Sequence, residues 1–259
     1  DETISNNSVN KFVEKSRGEL CKTSQKYTKP EFNTEATLVQ PSTHDVPNKH
    51  SQQAVVSAVL DSKHVAMSAH TVDALYRRLR DFDGCLLKKT AKNLVFVDGN
   101  HKAKVMFVGE GPGAEEDRQG TPFVGPSGKL FDRMLDSIGL HRDSILISNI
   151  VFWRPPGNRV PSTEEISVCL PFLERLIEIV KPELLVAVGG SAAKALLRQS
   201  QGIGRIRGKW YKYSLSGSND SIDATAIFHP AYLLRSPSQK REAWQDMLMI
   251  QRKIKKEDY

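Results

Sequence analysis

Three side chains of unlike chemistry, Phe123, Asn149 and His229, each lie downstream of a short apolar run, and an acidic, glycine-rich segment, GEGPGAEED, occupies 109–117. Singly each has an ordinary role: a core aromatic, a turn amide, a surface histidine. Together they are the types that chemistry on one extruded nucleobase needs. A flat apolar face stacks on the ring, a carboxamide reads its edge, and a donor meets charge developing on its oxygens.

The glycine-rich segment also admits a nucleotide reading, because Gly109, Gly111 and Ala114 fit G-x-G-x-x-[GA] directly after an apolar run. That fingerprint works by aiming helix N-terminal amides at a pyrophosphate, and Glu115, Glu116 and Asp117 would set three carboxylates against it. The helical pattern resumes only near Ser127. GPSGKL likewise fails as a phosphate loop, since Phe123 stands five residues before Gly128 where a glycine is required. No nucleotide cofactor is expected.

The elements that must hold these residues alternate between strand and helix. KVMFVG (104–109), ILISNIV (145–151), ELLVAVGG (183–190) and ATAIFHP (224–230) are apolar runs suited to buried parallel strands. Between the first two, Leu130, Phe131, Met134, Leu135 and Ile138 mark one helix face, ended by Gly139. Ser162 and Glu165 form a capping box for a helix carrying Ile166, Cys169, Leu170, Leu173, Ile177 and Val180, which Pro171 should kink. SAAKALL (191–197) reads as a short helix, 205–215 as extended or hairpin-like, and 238–254 as a final amphipathic helix. Residues 51–82 show helical spacing throughout. The expected fold is α/β, a three-layer α/β/α arrangement around a central, mainly parallel four-stranded sheet. In such sheets ligands bind beyond the carboxyl ends of the strands, where the candidate residues lie.

Composition narrows the class. The chain has 259 residues, 39% of them hydrophobic, and no run approaches the 18 apolar residues of a membrane helix. Three cysteines, at 21, 85 and 169, make no disulfide framework, and the first residues lack an apolar secretion signal. A reducing, cytoplasmic setting of the bacterial intracellular type is expected, with no membrane partner. Residues 1–50 carry 7 basic and 7 acidic side chains among scattered polar residues, and are expected to form a disordered or loosely attached arm. The net charge of +7 therefore sits in 51–259, the expected folded domain, and favours a polyanionic partner.

GEGPGAEEDRQGTPFVGPSGKLFDRML, SNIVFWRPPGNRVPSTEE, CLPFLERLIEIVKPELLVAVGG and FHPAYLLR, in this order, closely resemble the family 4 uracil-DNA glycosylases over residues 82–244. The resemblance implies that Phe123 stacks on a flipped uracil, that Asn149 hydrogen-bonds its edge, and that His229 stabilises charge on uracil O2. Gly111 falls where the best-known branch of the superfamily has a water-activating aspartate, which directs the catalytic carboxylate to Glu110 or Glu116, with Asp117 behind them. Gly113 falls where that branch excludes the thymine methyl with a tyrosine. Leu233, Leu234 and Arg235 resemble the loop whose apolar side chain fills the hole left by the extruded nucleotide, and Lys129, Arg154 and Arg159 are further DNA contacts. Gly189-Gly190-Ser191 adds backbone amides for a phosphate.

The chain departs from the family at its iron–sulfur ligands. Cys85 and Cys169 match two of the four cysteines that hold a [4Fe–4S] cluster, while Phe82 and Trp153 occupy the other two positions. Two thiolates do not satisfy a four-cysteine site, so no metal and no cluster are expected. The implied activity is a monofunctional hydrolysis of the N-glycosidic bond of deoxyuridine, by a monomer acting on single- or double-stranded uracil-containing DNA. The alternative is a catalytically weak DNA-binding or damage-recognition protein on the same fold. A dinucleotide-dependent oxidoreductase would rest on the glycine pattern alone.

Overall fold

A computed structural model describes residues 49–214 and 220–257. The arm expected over 1–50 lies almost wholly outside the described residues. Six strands form one sheet: β1 (Asp98–Gly99), β2 (Val105–Gly109), β3 (Leu146–Asn149), β4 (Leu184–Val188), β5 (Tyr211–Ser214) and β6 (Ser221–Ile227), in the order β1-β3-β2-β4-β6-β5. The four central strands are mutually parallel, as the sequence predicts, and short antiparallel strands β1 and β5 are added at the two edges.

Why these runs are strands is visible in what each face covers. Met106, Val108, Leu146, Leu185, Ala187, Ala224 and Ala226 point to one side, and Val105, Phe107, Ile147, Leu184, Val186, Val188 and Ile227 to the other. The first face is covered by α2 (Val72–Asp81), α5 (Thr163–Val180) and α6 (Gly190–Leu197), with α1 (Lys49–Met67) packed on α5. The second is covered by α4 (Pro126–Asp136) and α9 (Lys240–Glu257). Burying each Leu, Ile or Phe contributes about 1.5–3 kcal/mol, so both faces of the central strands are held.

Local signals place the helices. Ser162 Oγ accepts from Glu165 N at 3.2 Å while the Glu165 carboxylate accepts from Ser162 N at 2.7 Å, the capping box read from the sequence. The helix it starts runs through Pro171 to Val180. The helical stretch expected over 51–82 divides into α1 and α2, with Thr71 Oγ1 capping α2 by accepting from Ala74 N.

Two expectations need correction. The segment 205–215 is not one extended piece: α7 (Ile203–Ile206) precedes β5, which pairs with β6. A further helix, α3 (Ala114–Gln119), starts directly after GEGPG instead of near Ser127. Its six residues are too few to show apolar periodicity, and two of its buried residues are the acids Glu116 and Asp117.

Candidate active site

Register brings the strand ends level. Gly109 of β2 lies opposite Asn149 of β3, and Val188 of β4 lies opposite Ile227 of β6, two residues before His229. Beyond these ends opens a cavity of about 500 Å³ whose lining includes Glu110, Glu116, Phe123, Asn149, His229 and Arg235. The three residues singled out from the sequence therefore meet at one place.

Glycines make the meeting sterically feasible. A Cβ on Gly109 would come 2.5 Å from Asn149 Oδ1 and 2.7 Å from the Phe123 ring, so only a residue without a side chain lets both lie over the end of β2. A Cβ on Gly189 would sit 3.1 Å from His229 Cβ, and Gly189 has φ +99°, a backbone that favours glycine.

Asn149 is 2% exposed and lines the cavity, with its Oδ1 over the end of β2. Among the described residues no buried side-chain nitrogen or oxygen lacks a hydrogen-bond partner, so the carboxamide carries no desolvation penalty of that kind. The His229 ring is held differently. Its Nδ1 accepts a hydrogen bond from Ala231 N at 3.1 Å, at the start of α8 (Pro230–Arg235), which leaves the proton of a neutral ring on Nε2. Burial, helped by the positive charge of Arg235 and opposed by Glu116, lowers the His229 pKa to about 4. The imidazole is therefore neutral at physiological pH. It stacks on Phe123 with centroids 5.6 Å apart and planes 26° apart, and Phe123 in turn packs on Phe131 at 4.9 Å.

The two candidate carboxylates have different surroundings. Glu116 is buried and serves as a clasp: it accepts from Gly113 N at 3.1 Å, Val124 N at 3.0 Å and Gly125 N at 2.8 Å, tying the start of α3 to the loop that carries Phe123. Its carboxylate also fills the space that a side chain at Gly113 would need. One amide at the start of α3, Gly113 N, is thus already taken by a carboxylate, which weighs against a pyrophosphate at this turn. Glu110 is only partly buried and receives a single hydrogen bond, from the Ser191 hydroxyl on α6. Asp117 faces away, accepting from Lys92 N and Asn93 N, and anchors a loop. Gly111 has no room for an aspartate, since a Cβ there would come 2.6 Å from Val151 Cγ2.

The residues proposed for DNA contact divide as well. Leu234 is 46% exposed, whereas Leu233 is 1% exposed and packs with Phe228 and Ala243, so Leu233 belongs to the core and cannot act as a wedge. Arg159 and Arg235 line the cavity, but Arg159 is committed to a two-pronged pair with Glu165. Arg154 Nε donates to Asn158 Oδ1 at 2.7 Å, and Lys129 is exposed outside the cavity lining. Sequence reasoning missed Tyr232 and Val160, both exposed at the cavity rim, and gave Ser191 only a backbone role. The signal for Ser191 was a hydroxyl directly after a strand-end glycine pair.

Comparison with known proteins agrees with this geometry. The model of the uracil DNA glycosylase superfamily matches residues 96–248. The type-4 uracil-DNA glycosylase of Pyrobaculum aerophilum is 39% identical over 180 residues, covering 68% of this chain and 91% of the relative. Those of Archaeoglobus fulgidus and Thermotoga maritima are 38% and 36% identical, covering 70% and 72% of this chain and 92% and 96% of theirs. The chain belongs to the uracil-DNA glycosylase superfamily.

The resemblance to the type-4 uracil-DNA glycosylases implies a four-cysteine iron–sulfur site, and the side chains at the matching positions of this chain do not fit one. Cys85 and Cys169 lie with their sulfurs 3.8 Å apart, both buried. At the other two ligand positions Phe82 packs on Phe172 at 5.1 Å and Trp153 meets Phe152 edge-on at 6.5 Å, both aromatics buried. Cys21 lies outside the described residues. Among the described residues no group of three or more His, Cys, Asp or Glu side chains is placed to hold a metal ion. No described helix is long and apolar enough to cross a membrane.

Proposed function

We propose that the cavity receives a uracil flipped out of DNA and that Phe123, Asn149, His229 and Glu110 divide the work of hydrolysing its N-glycosidic bond. Uracil excision from DNA is the activity of this superfamily member, and the division of labour follows from the groups present. Phe123 offers its ring face for stacking. The carboxamide of Asn149 can donate to uracil O4 and accept from N3–H, pairing both halves of the amide at once. As the N1–C1′ bond breaks, its electron pair leaves with uracil and negative charge grows on O2. The Nε2–H of a neutral His229 is the donor for that charge. Being uncharged already, the ring loses no proton to the leaving group.

Glu110 takes the remaining role: its partly exposed carboxylate orients a water and stabilises the cationic sugar electrostatically. Water's oxygen ends on C1′, one of its protons is released, and free uracil and an abasic site result. Glu116 lines the same cavity but its oxygens are taken by three amides, which favours Glu110. Hydrolysis by an oriented water needs no amine nucleophile, and none of the described residues lining the cavity is a lysine. We further read the enzyme as a monomer that accepts single- or double-stranded DNA, since one chain supplies the whole cavity and one exposed wedge, Leu234. Two free thiols side by side, Cys85 and Cys169, fit a reducing cytoplasmic setting.

The observation that carries this reading is the convergence of Phe123, Asn149 and His229 on one cavity beyond the strand ends. The test is incubation with a uracil-containing oligonucleotide followed by alkali. Cleavage that disappears in Asn149→Ala and His229→Ala supports it, and cleavage retained in both overturns it. The cluster-free reading has its own assay. Purified protein should be colourless and free of stoichiometric iron and sulfide; a brown sample with about four irons per chain would refute it.

A further inference from the structure

The loop that presents Phe123 is held in an uncommon conformation. Phe123 has φ +56°, in the left-handed region that a bulky side chain rarely adopts. Such a conformation persists only where its surroundings impose it. Glu116 fixes the two amides that follow, Val124 N and Gly125 N. What fixes the Phe123 carbonyl is a single guanidinium that the uracil chemistry does not otherwise use.

Arg142, in the turn before β3, uses every arm of its side chain. One terminal nitrogen donates to the Phe123 carbonyl. The other donates to the Pro122 carbonyl at 3.1 Å and to Asp98 Oδ2 of β1 at 2.5 Å, while Nε donates to Asp132 Oδ1 of α4 at 2.8 Å. The guanidinium is half-buried, with 27% of its side chain exposed, and it ties the loop to an edge strand and to the helix beneath. Gly128 completes the seat, because a Cβ there would collide with the Phe123 carbonyl. A fixed planar fork with five donors is the group suited to hold two carbonyls and two carboxylates at once.

We propose that Arg142 is a positioning residue for uracil excision, locking Phe123 in its left-handed backbone so that the ring is presented to the flipped base before that base arrives. This rests on the reading of Phe123 as the stacking face. Lysine at 142 keeps the charge but cannot span four acceptors, so the loop relaxes and the ring loses its fixed direction.

The test is a double-mutant cycle on Arg142→Lys and Phe123→Ala, with single-turnover uracil excision and inhibition by free uracil as readouts. Binding to an oligonucleotide carrying a tetrahydrofuran abasic analogue is measured alongside. Arg142→Lys is expected to lower excision and free-uracil affinity by about tenfold or more. Abasic-analogue binding should stay within twofold, because no base is there to stack. In the Phe123→Ala background the same change should cost less than twofold. Asp132→Asn, which leaves Arg142 present but loosens it, should lose activity in the same direction and by less, and it keeps the proposal testable if Arg142→Lys fails to fold. An equal loss in both backgrounds, or a matching loss of abasic-analogue binding, overturns the role of Arg142 alone. An unchanged Phe123→Ala enzyme overturns the stacking reading, and the proposal with it.

Discussion

The two carboxylates that the sequence leaves equivalent should separate cleanly under substitution. Glu116 accepts three backbone hydrogen bonds in a buried place, whereas Glu110 receives one from Ser191 at the cavity. In Glu116→Gln the amide oxygen can keep the Val124 and Gly125 donors, but the NH2 then faces Gly113 N, a donor against a donor. Hydrogen bonds to charged groups are worth about 1.5–3 kcal/mol, so the loss should be about 2 kcal/mol. For a folded unit of this size that lowers Tm by about 4–8 °C. Glu116→Ala strands all three amides and should cost about 3–5 kcal/mol. Glu110→Gln loses one partly exposed bond and should leave Tm within about 2 °C, yet lower single-turnover excision by about 100-fold or more, the usual scale for removing one preorganised electrostatic contact. Thermal unfolding and excision at 25 °C, measured on the same samples, give both readings. If Glu116→Gln melts with the wild type while losing activity, and Glu110→Gln excises normally, the assignment is reversed.

Other outcomes follow from the same geometry. His229 should show no titration by nitrogen NMR between pH 5.5 and 8, with the proton on Nε2 and protonation only near pH 4. The folded ring stays unprotonated until then, while an unfolded histidine takes its proton below about 6.5, so acidification through that window should favour unfolding. This part of the acid sensitivity should vanish in His229→Gln; a ring titrating near 6.5 would refute it. Gly109→Ala should leave the fold intact but lower excision by about 100-fold, because the new methyl displaces Asn149 and the Phe123 ring together. Wild-type rates there would mean that the two side chains do not act from this position. Leu233→Ala should destabilise the protein by about 2–5 kcal/mol. Leu234→Ala should instead keep Tm and slow excision from duplex more than from single-stranded DNA, and equal losses on both substrates would remove its wedge role.

How much was legible in the sequence depended on how far apart the cooperating residues lie. The four central strands are buried on both faces, so their sequences are continuous apolar runs, and the Ser162–Glu165 box is complete within four residues. Edge strand β1 escaped because two residues leave no apolar run, whereas β5 falls within the segment 205–215 that reads as extended or hairpin-like. Asn149 and His229 could be named because strand ends in a parallel sheet share one rim, and Phe123 because its loop follows the first of those strands. Their partners could not. Ser191 meets Glu110 across 81 positions, and Asp98 meets Arg142 across 44, so no local pattern announces either. Leu233 and Leu234 look alike in sequence, and only the direction of a six-residue helix decides that one is core and the other exposed.

Across the sheet the site has a simple spatial grammar. In the order β3, β2, β4, β6, the strand ends supply Asn149, Gly109, Gly189 and, two residues on, His229. Polar side chains stand over the outer two strands and glycines over the inner two. Three strand spacings span about 14 Å. The carboxamide leans inward over Gly109 and the imidazole over Gly189, as the short distances to a Cβ at either glycine show. On the proposed reading, the cavity between them offers an amide, an N–H donor and the face of Phe123. A planar ring with two carbonyl acceptors flanking an N–H would meet those requirements, and uracil carries O4, N3–H and O2 in that sequence around its ring. The neutral state of His229 follows from its burial, which keeps a proton off the imidazole, so in the proposed reaction it meets negative charge as a donor whose hydrogen is already in place.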